Sequence, residues 1–364
     1  MPDSTSQIDH PASPYLAELC EQLSAQAIKC ESPEDWPRES LSACAKYGVF
    51  RWFLPKEVGG FGWNAKEIAE GYLQLGAACL TTTFVITQWY AAVKRILASE
   101  NDAFVSVRQQ MLTPILEGDI HVTVGISHLT TSRRHLGRPA LLAKTSEAGF
   151  VLNGLSPWVT SAAYADHLLI GATLENDEQI LALVPTASAG VLVKPPQHLV
   201  ALSASSTGPV EFEDVLVPSS RIVAGPCPNV LMSSAVSGSG GIQTSALALA
   251  VSHAAIQYVA DQATRRSDLQ EKSDQLIQQW QEARDLLFQM AEGEPVCSNE
   301  TLRTKSNSLV LRSTQAALVA AKGAGFVQGH PVGRWCREAL FFLVWSCPQA
   351  VQDANLCALV GLSE

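Results

Sequence analysis

Between about residues 119 and 228 the apolar residues come in short runs, whereas on both sides they recur at helical spacing. This double change of period most constrains the fold, because a strand turns alternate residues to one face and a helix every third or fourth. The central runs are "ALLAKT", "FVLNGL", "HLLIGATL", "QILALVP", "GVLVKP" and "GPVEFEDVLVP". They are separated by "SEAG", "ENDE" and "TASA", the turn chemistry expected between antiparallel strands. Upstream, "SPYLAELCEQLSAQAIK" places Leu16, Leu19, Cys20 and Leu23 at helical spacing, and Asn64 with Glu67 forms a capping-box pattern. Downstream of the Gly/Ser stretch "SSAVSGSGG" the helical period returns to the end of the chain. The pattern predicts helices over 1–118, a β barrel or sandwich over 119–228, and a helical bundle over 229–364.

Of the 364 residues, 47% are hydrophobic and only 16% charged, which fits sizeable cores and excludes a disordered or coiled-coil chain. A net charge of -10 without any Lys/Arg block argues against nucleic acid and against an anionic membrane surface as the main partner. No apolar stretch is long enough to span a bilayer, and the N-terminus lacks the basic and apolar regions of a signal peptide. Nine cysteines, without a C-x-x-C pair, read as scattered thiols of a reducing compartment, so a cytoplasmic location is expected.

The segment "REALFFLVWSCPQAV" is apolar from Ala339 to Trp345 and then meets Ser346, Cys347 and Pro348. It reads as a helix buried on all sides that Pro348 ends or kinks.

Four segments together resemble the acyl-CoA dehydrogenase family, in order over nearly the whole chain. "LPKEVGGFGWNAKEI" is similar to its Leu-Pro-x-x-x-Gly-Gly-x-Gly turn, and "VLNGLSPWVTSAAYADHLLIGATL" to its β-domain signature. "SSTGPVEFEDVLVPSSRIV" resembles the strand that leaves the β domain, and "AAKGAGFVQGHPVGRWCREA" the segment before the last helices. The resemblance implies an N-terminal helical domain, a central antiparallel β barrel and a C-terminal four-helix bundle, with FAD between barrel and bundle. It also implies an oxidoreductase acting on an acyl thioester, an electron-transferring flavoprotein or reductase as partner, and a homodimer or homotetramer.

A flavin ring needs a flat apolar face and a hydrogen-bond donor at the atom that receives hydride. Trp158 and Thr160 are two apart in a strand and therefore on one side, and by resemblance they supply these two elements. Read without the resemblance, Trp158 is a barrel-core aromatic and Thr160 a β-former. Where the family carries Thr-Glu-Pro-x-x-Gly-Ser-Asp, this chain has "GISHLTTSRRHLGRP". Ser127 stands for the threonine there. Thr130, Thr131 and Ser132 are candidate hydroxyls, and Arg133 and Arg134 suit phosphate. The family's Arg-x-x-Phe-Gly, which reaches a neighbouring subunit's FAD, survives as Arg265 or Arg266 in "TRRSDLQ". His121, His128 and His135 recur every seven residues, a spacing that does not gather them on one metal in β or irregular structure. Ser127 and His128 lack the nucleophile-elbow pattern that a hydrolytic triad would need.

Desaturating an acyl thioester requires a base at the α carbon, worth about 10²- to 10⁴-fold in rate. Counted from the matched Pro331-Val332 and Arg337-Glu338-Ala339, the family's glutamate position falls on Ser346. The alternative family position, on the helix after the Gly/Ser stretch, holds no acid. Three readings stay open: an FAD oxidoreductase with an atypical base, a flavin monooxygenase or oxidase of the same fold, and a non-catalytic partner subunit.

Overall fold

In the computed structural model, which describes residues 6–130, 139–233 and 241–362, the expected capping box is formed. The Glu67 N–H donates to Asn64 Oδ1 at 2.9 Å and the Asn64 N–H to Glu67 Oε2 at 2.7 Å. Six helices make the N-terminal part: α1 (Pro14–Ala27), α2 (Arg38–Lys46), α3 (Val49–Trp52), α4 (Ala65–Ala78), α5 (Leu80–Leu97) and α6 (Val105–Glu117). Between α3 and α4 the Gly-rich turn brings Trp52 and Trp63 into a stack at 4.2 Å. Gly60 is required in that turn, since a Cβ on it would lie 2.0 Å from the Leu54 carbonyl oxygen.

The middle of the chain forms β1 (Val122–Gly125), the single-turn α7 (Ser127–Thr130), and the strands β2 (Leu141–Ser146), β3 (Gly149–Val159), β4 (His167–Thr173) and β5 (Gln179–Pro185). It continues with β6 (Val191–Val193), β7 (Gly208–Pro218), β8 (Ile222–Cys227) and the short α8 (Val230–Ser233). These strands make one eight-stranded sheet in the order β6-β7-β3-β2-β4-β5-β8, with β1 beside β4. The sheet is not the closed antiparallel barrel that was expected. Its outer strands β6 and β8 do not pair with each other, β1 runs parallel to β4, and β2 meets β4 in a parallel bridge at Leu142 and Thr173. The parallel pair arises because β1 reaches β4 across the long β2–β3 hairpin, and only a crossover of that length allows parallel pairing.

Two cores meet at this sheet. On β4 and β5, Leu169, Leu181 and Leu183 belong to the core shared with the helices. The alternate residues Leu168, Ile170, Ile180, Ala182 and Val184 belong to the core inside the sheet. Being buried on both faces, β4 and β5 read as continuous apolar runs.

The C-terminal part holds α9 (Ile242–Ala263), α10 (Gln270–Ala291), α11 (Asn299–Ala321), α12 (Pro331–Phe341) and α13 (Gln349–Val360). Its central helix α9 packs on α10, α11 and also on α4 of the N-terminal part. The α4–α9 approach is close, since a Cβ on Gly76 would lie 2.8 Å from that of Ala250. No described helix is long and apolar enough to cross a membrane.

Candidate flavin-binding site

Trp158 owes its position to a fault in the β3–β7 ladder. Ser156 pairs with Val210 and Val159 with Gly208, so β3 carries one extra residue between them, at Pro157-Trp158. Proline lacks the ladder donor and fits such a bulge. The bulge turns the indole outward, leaving Trp158 51% exposed, while Thr160 just beyond the strand is buried. The two side chains thus differ in exposure, the indole open to solvent and the hydroxyl enclosed. Trp158 is also not a core aromatic.

Thr160 is the end of a buried hydroxyl chain: its Oγ1 lies 3.0 Å from Thr207 Oγ1, which lies 2.8 Å from Ser205 Oγ. Three hydroxyls joined by two bonds use two of their three protons, so the chain retains one donor. The backbone around it is fixed: Thr123 Oγ1 donates to the Thr160 carbonyl at 2.8 Å, and the Ser161 N–H donates to the Ser205 and Ser206 carbonyls. Helix α5 packs against both β1 and the Ser203–Ser205 turn, and through Phe84 it meets Phe341 and Trp345 beside Ser346.

Ser127 opens α7 directly after β1, and Thr130 closes it. His128 does not face Ser127 as a catalytic partner; its Nε2 bonds the Gly171 carbonyl at 2.7 Å, and burial lowers its pKa. Burial holds the His121 ring at about 4, and the ring stands edge-on to Trp36. Among the described residues no group of three His, Cys, Asp or Glu forms a metal site. Thr131, Ser132, Arg133, Arg134 and His135 lie outside the described residues. Arg266 is engaged within its own chain: Nη1 donates to the Ala320 carbonyl at 2.9 Å, at the end of α11, and Nη2 pairs with Asp268 at 3.3 Å. Arg265 is exposed.

The segment around Ser346 is not the fully buried helix that was expected. Helix α12 ends at Phe341, and residues 342–346 form a turn in which Val344 is 75% exposed. The cause lies on α11. Arg303 Nη2 donates to the Phe342 and Trp345 carbonyls at 3.4 and 2.9 Å, and Asn307 Nδ2 to Phe342 at 3.0 Å, so α11 caps the carbonyl end of α12. Pro348 starts α13 rather than ending α12, with the Gln352 N–H on its carbonyl at 3.0 Å. Ser346 itself is exposed and has φ +45°, a left-handed conformation that non-glycine residues adopt at a cost of about 1 kcal/mol or more. Arg303 is buried, with Nε and Nη1 lacking hydrogen-bond partners, and burial lowers its pKa to about 10.

Sequence reasoning missed a second cluster. Glu338 of α12 is buried 3.5 Å from Arg334 Nε, and burial pushes its carboxyl up to about 7. Cys30 and Cys79 are near enough to act on it electrostatically. The Arg334/Glu338 spacing of four on a helix was a readable signal; the approach of the cysteines was not.

No family model matches the chain. The probable acyl-CoA dehydrogenase YngJ of Bacillus subtilis (strain 168) is 22% identical over 340 residues, 87% of this chain and 88% of the relative. Among solved structures, butyryl-CoA dehydrogenase from Megasphaera elsdenii aligns with a TM-score of 0.80 at 16% identity, over 95% of this chain and 97% of that one. Dibenzothiophene monooxygenase (TdsC) from Paenibacillus sp. A11-2 aligns at 0.74 and 16% identity, over 95% and 96%. Sequence relatives and solved structures agree across nearly the full length of the chain: it has the acyl-CoA dehydrogenase fold and is similar in sequence to curated acyl-CoA dehydrogenases.

Proposed function

We propose that this chain is an FAD-dependent oxidoreductase acting on an acyl thioester or a related substrate, with no carboxylate at the family's usual base position. The observation that carries this reading is the end of β3, where a half-exposed indole, Trp158, is followed two residues on by Thr160 in a hydroxyl chain with a donor to spare. A flat apolar face next to a pre-oriented donor suits the ring end of a flavin. The phosphate end rests on fewer groups, because Arg266 already serves its own helix.

When bound, the flavin accepts the hydride. The protein's part is positional. Trp158 would cover one face of the ring, and the Thr160–Thr207–Ser205 chain would supply a donor to it. Ser127 stands at the end of β1 where the resemblance puts a further hydroxyl. The turn held by Arg303 and Asn307 presents Ser346 at the position read as that of the missing base. A serine hydroxyl does not take up a carbon-bound proton without a base of its own. Glu338, though pushed up to about 7, is paired with Arg334, and no step is assigned to it.

The same serine favours a second reading, a flavin monooxygenase or oxidase whose reaction needs no carboxylate there. An electron-transferring flavoprotein or a reductase is the proposed redox partner. The deciding experiment is the absorption spectrum of the purified protein with and without added FAD. A flavin spectrum that bleaches anaerobically on adding acyl-CoA supports the first reading. Flavin that is inert to acyl-CoA but gives oxygen-dependent product with a reductase supports the second. Protein that stays colourless with FAD overturns both and leaves a non-catalytic partner subunit.

A further inference from the structure

The segment from Thr160 to Asp166 runs on from the hydroxyl chain at the end of β3, and its backbone is fixed at both ends. The Ser161 N–H donates to the Ser205 and Ser206 carbonyls, each at 3.1 Å, and the Tyr164 N–H closes a short turn on the Ser161 carbonyl at 2.9 Å. At the far end the Asp166 N–H donates to the His121 carbonyl and the His121 N–H to Asp166 Oδ2, both at 2.8 Å. Tyr164 is the only aromatic residue in between, and its ring is supported from another part of the chain. Trp36, in the loop joining α1 to α2, stacks on it with centroids 4.6 Å apart and planes 9° apart. The same indole meets the His121 ring at 5.7 Å and 69°, and the Arg38 guanidinium stands 6.0 Å from the Tyr164 centroid. The loop that presents Trp36 is itself closed, with the Ser32 N–H on Asp35 Oδ2 at 2.9 Å and the Asp35 N–H on the Ser32 carbonyl at 3.1 Å. Stacked rings attract beyond the area they bury, so the indole restrains the turn as well as covering it.

We propose that Trp36 is a positioning residue for the flavin site: by holding Tyr164 it holds the turn that begins at Ser161, and with it the direction of the neighbouring Thr160 hydroxyl. The inference rests on the reading of Thr160 as a flavin contact. Hydrogen bonds weaken steeply once their angle is lost, so a small rotation at the start of the turn is enough to be felt at the ring. Trp36 touches neither the flavin nor the substrate in this role and acts through Tyr164 alone.

The test compares the visible flavin spectrum and the amide exchange of the FAD-loaded full chain with those of Trp36→Leu, Trp36→Phe, Thr160→Val and the Trp36→Leu/Thr160→Val double variant. Thr160→Val, which removes the hydroxyl, is expected to move the flavin band, and Trp36→Leu to move it the same way by less. Trp36→Phe keeps a flat ring and should keep the parent band. The double variant should move no further than Thr160→Val alone, because the two residues act on one bond. Exchange over 161–166 should rise roughly two- to tenfold in Trp36→Leu, the range a lost aromatic pair gives. Parental exchange there in Trp36→Leu, or a band shift that adds to that of Thr160→Val, overturns the role of Trp36 alone. A band unmoved by Thr160→Val, or a protein that takes up no flavin, overturns the placing of the flavin and this inference with it.

Discussion

Arg303 Nη2 donates to the Trp345 carbonyl at 2.9 Å, so a buried cation of α11 holds the turn that bears Ser346. No carboxylate pairs with Arg303 among the described residues, and two of its nitrogens lack hydrogen-bond partners. Replacing a buried, incompletely satisfied cation by an apolar side chain of similar length relieves desolvation while losing the bonds it makes. Arg303→Met is therefore expected to leave the melting temperature within a few degrees of the parent. It should still free the turn: losing a bond from a charged donor, worth about 1.5 kcal/mol, raises amide exchange at 343–346 by roughly tenfold. Hydrogen exchange read by mass spectrometry checks this, and unchanged protection there removes Arg303 from its positioning role.

Trp158 and Trp52 should respond oppositely to truncation. Trp52 is fully buried, stacks on Trp63 and donates to the Ile8 carbonyl, so Trp52→Ala is expected to cost about 3–5 kcal/mol. Half-exposed Trp158 makes no such contacts, and Trp158→Ala should change stability by about 0.5 kcal/mol or less. Its effect is expected on flavin content after gel filtration, which should fall. Retention of full flavin content by Trp158→Ala would show that the ring lies elsewhere.

The three zones were legible because period is a local property: Leu16, Leu19 and Leu23 are all buried on one stripe of α1. The open, mixed sheet was not legible, because β1 and β4 pair across the β2–β3 hairpin and nothing local in "HVTVG" specifies a parallel partner. Pro157 was the available clue to the bulge at Trp158, since proline inside a strand marks an edge or an irregularity. The end of α12 at Phe341 could not be read from its own residues. Its carbonyls are taken by Arg303 and Asn307, far upstream on another helix.

Stability should rise between about pH 4.5 and 6.5. Burial holds folded His121 at about 4, below the 6.5 of the unfolded chain, so the unfolded state binds the proton first and stability is lost as pH falls through this window. Burial lowers His128, His167 and His253 in the same sense. Glu338 opposes them. Raised by burial from 4.5 to about 7, it contributes fully below 4.5, and that contribution is lost as pH rises toward 7. Displacements of this size are each worth about 3 kcal/mol, so His121 and Glu338 nearly offset, and the three other histidines outnumber Glu70, which burial raises in the sense of Glu338. Glu338→Gln removes the opposing contribution, and its thermal melts should climb more steeply with pH than those of the parent. Parallel curves would show that Glu338 does not titrate in this range.

The C-terminal surface should mediate self-association. Leu356, Leu359 and Val360 on α13 are 59%, 59% and 67% exposed, close in sequence to the exposed Val344 of the preceding turn. Apolar side chains clustered on a short segment at this exposure mark a surface that another molecule covers. The occupant proposed is a second copy of the chain, consistent with the homodimer or homotetramer that the resemblance implies. A charge placed in such a contact is costly once it is desolvated, whereas on an isolated chain it stays in water. Leu359→Glu is therefore expected to keep the helical circular dichroism of the parent while light scattering after gel filtration reports a smaller species. A parent that elutes as a monomer, or a variant of unchanged mass, would show that this surface is not the subunit contact.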